Sequence, residues 1–194
     1  MADANQKMRR YELLQTIAPI FDREFVICNL GFPSQELYSI RDSERFFYML
    51  GSMGLSSSIG LGVARYTRDP VVSIDGDGSV LMNLATLSTI ANYATTNYTL
   101  FIVDNGSYGS TGDQPTQTTG KTSLAGMAKG AGIESVFEVD GADAKDVLAK
   151  CVKSDGPHVI VAKVAPGSPK LTPIPLSSLV IRDRFRQALS ESAA

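Results

Sequence analysis

The sequence has little of what several common site types require. It holds only two cysteines, Cys28 and Cys151, far apart and in no CxxC pair. An iron–sulfur cluster needs several thiolates, so that class ranks low. The two thiols read as buried and reduced, although the sequence leaves a bridge between them open. There is a single histidine, His158. It follows Gly156-Pro157 at the start of a strand and reads as structural. No apolar run reaches the ~18 residues of a membrane-spanning helix. The stretch MADANQKMRRYELLQ lacks the apolar core of a secretory signal, so the expected location is the cytoplasm. In such a chain Asn97-Tyr98-Thr99 and Asn105-Gly106-Ser107 are chance matches to the glycosylation pattern. Basic charge is not in excess: 18 Lys and Arg stand against 20 Asp and Glu, a net charge of −2. That argues against nucleic acid as the ligand. Repeats and low-complexity segments are missing too.

What is present is an ordinary globular composition, 43% hydrophobic and 20% charged over 194 residues. The length predicts one domain, 1–194, with a core over about 8–165 and a Pro-rich segment plus helix over 166–194.

Periodicity predicts an amphipathic helix over 8–21, with Tyr11, Leu14, Ile17, Ala18 and Phe21 on one stripe. Phe25 to Cys28 reads as a buried strand. Asn29-Leu30-Gly31-Phe32-Pro33 breaks it, and Ser34 is placed to cap a short helix reaching Tyr38. Phe46 to Leu50 reads as a strand, Gly51 to Gly54 as a turn, and the small residues up to Tyr66 as a tightly packed helix. Val71 to Ile74 is a clear strand ending in Asp75-Gly76-Asp77-Gly78. Ser79 to Ala94 reads as one helix. Leu100 to Val103 is a strand, followed by a polar loop to Lys121. A helix from Ser123, a strand over 135–139, a helix over 142–153, a strand over 158–164 and a helix over 177–189 complete the chain. Apolar strands without polar alternation mean that both sheet faces are covered. The expected fold is therefore α/β, doubly wound, with a mostly parallel sheet. Ligands of such sheets sit at the carboxyl ends of the strands.

Gly76-Asp77-Gly78-Ser79 lies at such an end. Glycines permit a ligand close to the backbone, and free N–H groups at a helix start favour an anion. Alone, this pattern is also an ordinary strand-to-helix turn. Asn105 adds to it, 28 positions after Asp77 and at the end of the next strand. A carboxylate and an amide oxygen at one sheet edge are hard donors that suit Mg²⁺, which often shares its coordination with phosphates. A carbonyl just past Asn105, that of Ser107, is a candidate third ligand.

Gly-Asp-Gly, a helix and a strand, then Asn resembles the thiamine-diphosphate signature. The stretches NLGFPSQELY, GSMGLSSSIGLGVA, GDGSVLMNLATLSTIA and DNGSYGSTGDQPTQT together resemble the thiamine-diphosphate-dependent sulfopyruvate and phosphonopyruvate decarboxylase group. The similarity runs over most of 25–165. It implies the thiamine-diphosphate-binding PP domain, with thiamine diphosphate and Mg²⁺ as cofactors. Carried over, the metal ligands are Asp77, Asn105 and the Ser107 carbonyl. Asp104 stands where many members have a first Asn. The cofactor-binding set is Gly51, Ser52, Met53, Gly76, Asp77, Gly78, Ser79, Asn105, Ser107 and Tyr108. Met53 is the expected wedge under the bent cofactor, and ordinary core packing is the alternative role for a methionine.

The resemblance implies a carboxy-lyase acting on a small 2-oxoacid. The first choice is 3-sulfopyruvate, giving sulfoacetaldehyde and CO₂ in coenzyme M biosynthesis; the alternative is phosphonopyruvate. In this group the activating glutamate comes from a pyrimidine-binding domain, which nothing here matches. The expected partner is thus an alpha subunit carrying that domain, in a hetero-oligomer of at least α₂β₂. Arg41, Arg45 and Lys121 are cations available to an anionic substrate or simply solvated, and the substrate site stays unassigned.

Three rivals remain in view. A nicotinamide-binding domain would need a third glycine where Leu81 stands, and Asp77 would face a pyrophosphate with like charge. A 2-oxoacid:ferredoxin oxidoreductase subunit would need more cysteines. A non-catalytic cofactor-binding half would need no partner active site.

Overall fold

A computed structural model describes residues 7–192. Its centre is a six-stranded sheet, parallel throughout. The strands are β1 (Phe25–Cys28), β2 (Phe46–Tyr48), β3 (Val71–Gly76), β4 (Tyr98–Asp104), β7 (Ser135–Asp140) and β8 (His158–Lys163), in the order β2-β1-β3-β4-β8-β7. A two-stranded antiparallel ribbon, β5 (Ser107–Tyr108) with β6 (Gln114–Pro115), sits inside the polar loop after β4. The expected doubly wound α/β fold is what the chain adopts.

The strands form where β-branched and aromatic residues run without polar alternation. The inner strands β1, β3, β4 and β8 are buried on both faces, whereas edge strand β7 is largely exposed. Val26, Cys28, Val72, Ile74, Phe101 and Ile160 meet helices α1 (Arg10–Ile17), α2 (Phe32–Ile40) and α7 (Gly141–Cys151) on one face. Ile27, Val71, Leu100, Ile102 and Val159 meet α3 (Ser56–Ala64), α4 (Asp77–Leu81), α5 (Ala85–Tyr93) and α6 (Leu124–Gly130) on the other. Helix α8 (Ser178–Ser192) flanks edge strand β2, giving Ile181 to the first core and Phe185 to the second. Helix α3 packs as tightly as its small residues predict: a Cβ on Gly60 would lie 1.9 Å from Ser73 Oγ.

Four local expectations change. The first helix runs only from Arg10 to Ile17, and a 3₁₀ turn over Ala18–Ile20 carries Pro19 where the missing N–H ends the regular ladder. Ser34 does not cap α2; Gly31 takes that position, and Ser34 lies within the helix with its hydroxyl on the Cys28 and Asn29 carbonyls. Strand β2 stops at Tyr48. The expected helix over 79–94 is two helices, α4 and α5, broken at 82–84. There the Asn83 amide donates to the Gly54 carbonyl at 2.8 Å, a tertiary bond that the helical period does not encode. Cys28 and Cys151 are both buried and unbridged. His158 hydrogen-bonds Ser135 and Ser154, a structural role.

After β1 the chain moves outward to β2, then returns past β1 to form β3. That reversal leaves a crevice beyond the carboxyl ends of β1 and β3, where ligands of open α/β sheets bind.

Candidate cofactor and metal site

The crevice is lined by Asn29, Met53, Asp75, Gly76, Asp77, Gly78, Ser79, Asn105, Ser107 and Tyr108, among others. Eight of the ten residues that the sequence reading assigns to the cofactor therefore share one opening. The other two, Gly51 and Ser52, stand on its exposed lip beside Met53. Ser52 holds a positive φ of 68°, uncommon for a residue with a side chain. Met53 is half-buried at the wall.

The Met53 turn is tied to the Gly76–Ser79 turn. Ser79 Oγ accepts the Gly54 N–H at 2.8 Å, and the Asn83 bond to Gly54 completes the clasp. Gly78 is needed for a reason the sequence hides: a Cβ there would lie 2.3 Å from the Tyr108 ring. The flank of Gly78 thus belongs to Tyr108. The open approach is over Gly76, where a Cβ would meet only Asn29 Nδ2, at 3.7 Å.

Asp77 opens α4 directly after β3, almost fully buried, and Asn105 follows β4 next to it. Asn105 Oδ1 accepts the Ser107 N–H at 3.1 Å, which turns the chain so that Ser107 stays at the mouth. Burial, followed by the charge of Asp104, raises the Asp77 carboxyl above the usual aspartate value. The polar loop folds back onto it. The Thr116 hydroxyl donates to Asp77 Oδ2. Thr118 Oγ1 lies 3.1 Å from Asp77 Oδ2, 2.7 Å from Asp104 Oδ1 and 2.8 Å from Thr116 Oγ1.

This donor set fits a cation. Three oxygen–oxygen contacts join the two carboxylates to the two threonines and a fourth joins the threonines to each other, yet the threonines carry only two hydroxyl protons. Positive charge beside Asp77 relieves that deficit. The available ligands are all oxygens, as a hard cation such as Mg²⁺ prefers. No group of three His, Cys, Asp or Glu forms a metal cage among the described residues. A cation held mainly by Asp77 and amide or carbonyl oxygens therefore has room for phosphate oxygens.

Asp75, two residues earlier, is also buried, and its Oδ2 has no hydrogen-bond partner. Burial pushes its carboxyl up to about 6, against nearby Ser79 and Ser56 hydroxyls. Sequence reasoning missed Asp75, Asn29, Thr116 and Thr118. Asn29 had a usable signal, an amide at the end of a strand, as with Asn105. The threonines had none, since their fold-back spans about forty positions.

The structure also sorts the free cations. Arg45 stacks over Phe25 and pairs with Asp69 at 2.8 Å, at the amino ends of the strands and away from the crevice. Arg41 reaches the Ala18 carbonyl and lies near Asp22. Lys121 is exposed outside the crevice lining. Of the described cations, Arg10 reaches the lining, and Glu36 holds it at 2.7 and 2.9 Å.

Comparison with known proteins places this geometry in context. Residues 28–162 match the family model described as thiamine pyrophosphate enzyme, C-terminal TPP binding domain. The sulfopyruvate decarboxylase subunit beta of Methanocaldococcus jannaschii is 42% identical over 185 residues, covering 95% of this chain and 98% of that one. The phosphonopyruvate decarboxylase of Streptomyces viridochromogenes is 39% identical over 155 residues, 76% of this chain but 39% of its own length. Among solved structures, the 2-oxoglutarate:ferredoxin oxidoreductase from Magnetococcus marinus superposes with a TM-score of 0.68 at 18% identity, covering 92% of this chain and 66% of that one. At that identity the likeness speaks for the fold.

Proposed function

The chain belongs to the thiamine pyrophosphate enzymes, in the family of sulfopyruvate decarboxylase beta subunits, and from that membership we propose that it is the diphosphate-binding subunit of a sulfopyruvate decarboxylase. The whole chain, 1–194, acts as one cofactor-binding domain. The single observation that carries the site assignment is the oxygen cluster around Asp77, in which more oxygen–oxygen contacts are made than the threonines have hydroxyl protons. Asp77, the Asn105 amide oxygen and the Ser107 carbonyl would hold Mg²⁺ on the cofactor diphosphate. Gly76, Gly78 and Ser79 present the backbone of the turn, with first-turn N–H groups that have no partner within α4. Tyr108 covers the flank of Gly78, and Gly51, Ser52 and Met53 form the opposite wall.

Thiamine diphosphate, when bound, supplies the electron sink that lets a 2-oxoacid lose CO₂. The chain's own residues bind and orient it and exclude water from the wall at Met53. Asp75 and Asp77 are the carboxylates among the described lining residues, and no glutamate is among them. In this reading the glutamate that activates the cofactor is supplied by a second chain, as the resemblance implies. The relatives' designation as subunit beta supports an alpha subunit; an assembly of at least α₂β₂ and a cytoplasmic location belong to the same reading.

Phosphonopyruvate is the second reading, favoured by the identity to that decarboxylase. Calorimetric titration with thiamine diphosphate and Mg²⁺, in the presence of the alpha subunit, tests the site. Asp77→Ala is expected to abolish Mg²⁺-dependent binding while leaving the thermal melt intact. Tight binding by that variant removes the assignment. CO₂ release from sulfopyruvate against phosphonopyruvate then decides the acid.

A further inference from the structure

Asp104 is a second carboxylate beside Asp77, 3% exposed at the end of the neighbouring strand. A divalent cation at Asp77 would attract it, because hard cations gather carboxylates within reach. The fold engages Asp104 otherwise. Its Oδ2 receives Lys163 Nζ at 2.5 Å. Its Oδ1 receives the Thr118 hydroxyl at 2.7 Å and the Gly106 N–H at 3.2 Å. Lys163 lies directly across from Asp104 in the β4–β8 register. It also has Asp140 in register on its other side, yet its ammonium ion-pairs with Asp104.

We propose that Lys163, acting through Asp104, is a positioning residue that sets the cation selectivity of the site. It neutralises Asp104 and holds it out of the coordination sphere, so that Asp77 is the one carboxylate ligand. A single carboxylate with neutral oxygens and phosphates suits small, octahedral Mg²⁺; a second carboxylate favours Ca²⁺, which takes more and bidentate oxygens. Lys163 is not among the residues that line the crevice. This inference rests on Asp77 holding the cofactor's cation.

The test is equilibrium dialysis of thiamine diphosphate against the chain assembled with its alpha subunit, titrated separately with Mg²⁺ and Ca²⁺. Lys163→Met is expected to shift the ratio of half-saturating Mg²⁺ to Ca²⁺ about tenfold toward Ca²⁺, as one released charge beside the site implies. Lys163→Arg keeps the wild-type ratio, and Lys163→Met with Asp104→Asn restores it. A wild-type ratio in Lys163→Met, or no restoration in the double variant, overturns the proposal. Should Lys163→Met fail to fold, Asp104→Asn alone carries the test: it is expected to keep cation-dependent binding, and losing it makes Asp104 a ligand and ends the proposal. Failure of the site reading looks different, since wild type would then bind cofactor without a divalent cation or Asp77→Ala would bind normally.

Discussion

Asp69 shows at single-residue scale how the amino ends of the strands are pinned. Arg23 reaches its carboxylate at 2.5 Å, Arg45 at 2.8 Å and the Ser192 hydroxyl at 2.5 Å. Burial alone would raise its carboxyl; Ser192, Arg45 and Arg23 outweigh that and bring it to about 2. A folded value below the unfolded one stabilises the fold above pH ~4, and the gain is lost as pH falls through about 2. The group is partly solvated, so we discount the gain to about 1 kcal/mol. Asp69→Asn is expected to lower stability by that amount at pH 7 and by almost nothing near pH 2. Urea unfolding at both pH values checks it, and a deficit that persists in acid contradicts the charge argument.

At the scale of elements, α8 is the test case. Its Phe185 ring meets Phe25 at 5.5 Å and Phe47 at 5.4 Å between centroids, both edge-on. Strand β2 has only β1 as a sheet neighbour, so α8 flanks an otherwise open edge. Phe185→Ala removes a buried aromatic and is expected to cost about 3–5 kcal/mol, with aggregation on warming. Calorimetry and light scattering measure both. A loss below about 1 kcal/mol means that α8 is a loosely attached tail. The break between α4 and α5 belongs to this scale as well. Periodicity continues across 82–84, where the chain turns and Asn83 bonds to Gly54.

At the scale of the whole molecule, the exposed apolar side chains Leu50, Leu55 and Met82 flank the Met53 turn. The chain alone, with thiamine diphosphate and Mg²⁺, is expected to release no CO₂ from sulfopyruvate, and addition of the alpha subunit is expected to start turnover. Light scattering of the mixture is expected to give at least α₂β₂. Turnover by the isolated chain at the rate of the mixture would dismiss the shared active site.

Local sequence was enough for the inner strands, because a strand covered on both faces is a mostly apolar run rich in Val, Ile, Leu and Phe. It was also enough for the Gly76–Ser79 turn and Asn105, whose spacing holds a helical stretch and one strand, although that stretch is broken into α4 and α5. The PP-domain expectation came from the resemblance of whole motifs. Local sequence did not reveal that the β1–β3 reversal places Asn29 over Gly76, nor that Thr116 and Thr118 return to Asp77, nor that Lys163 neutralises Asp104. Those are long-range contacts, set by strand order and register and by a polar loop closing on the sheet. A residue's neighbours along the chain carry its local propensity, while its partners across the sheet exist only once the strands have paired.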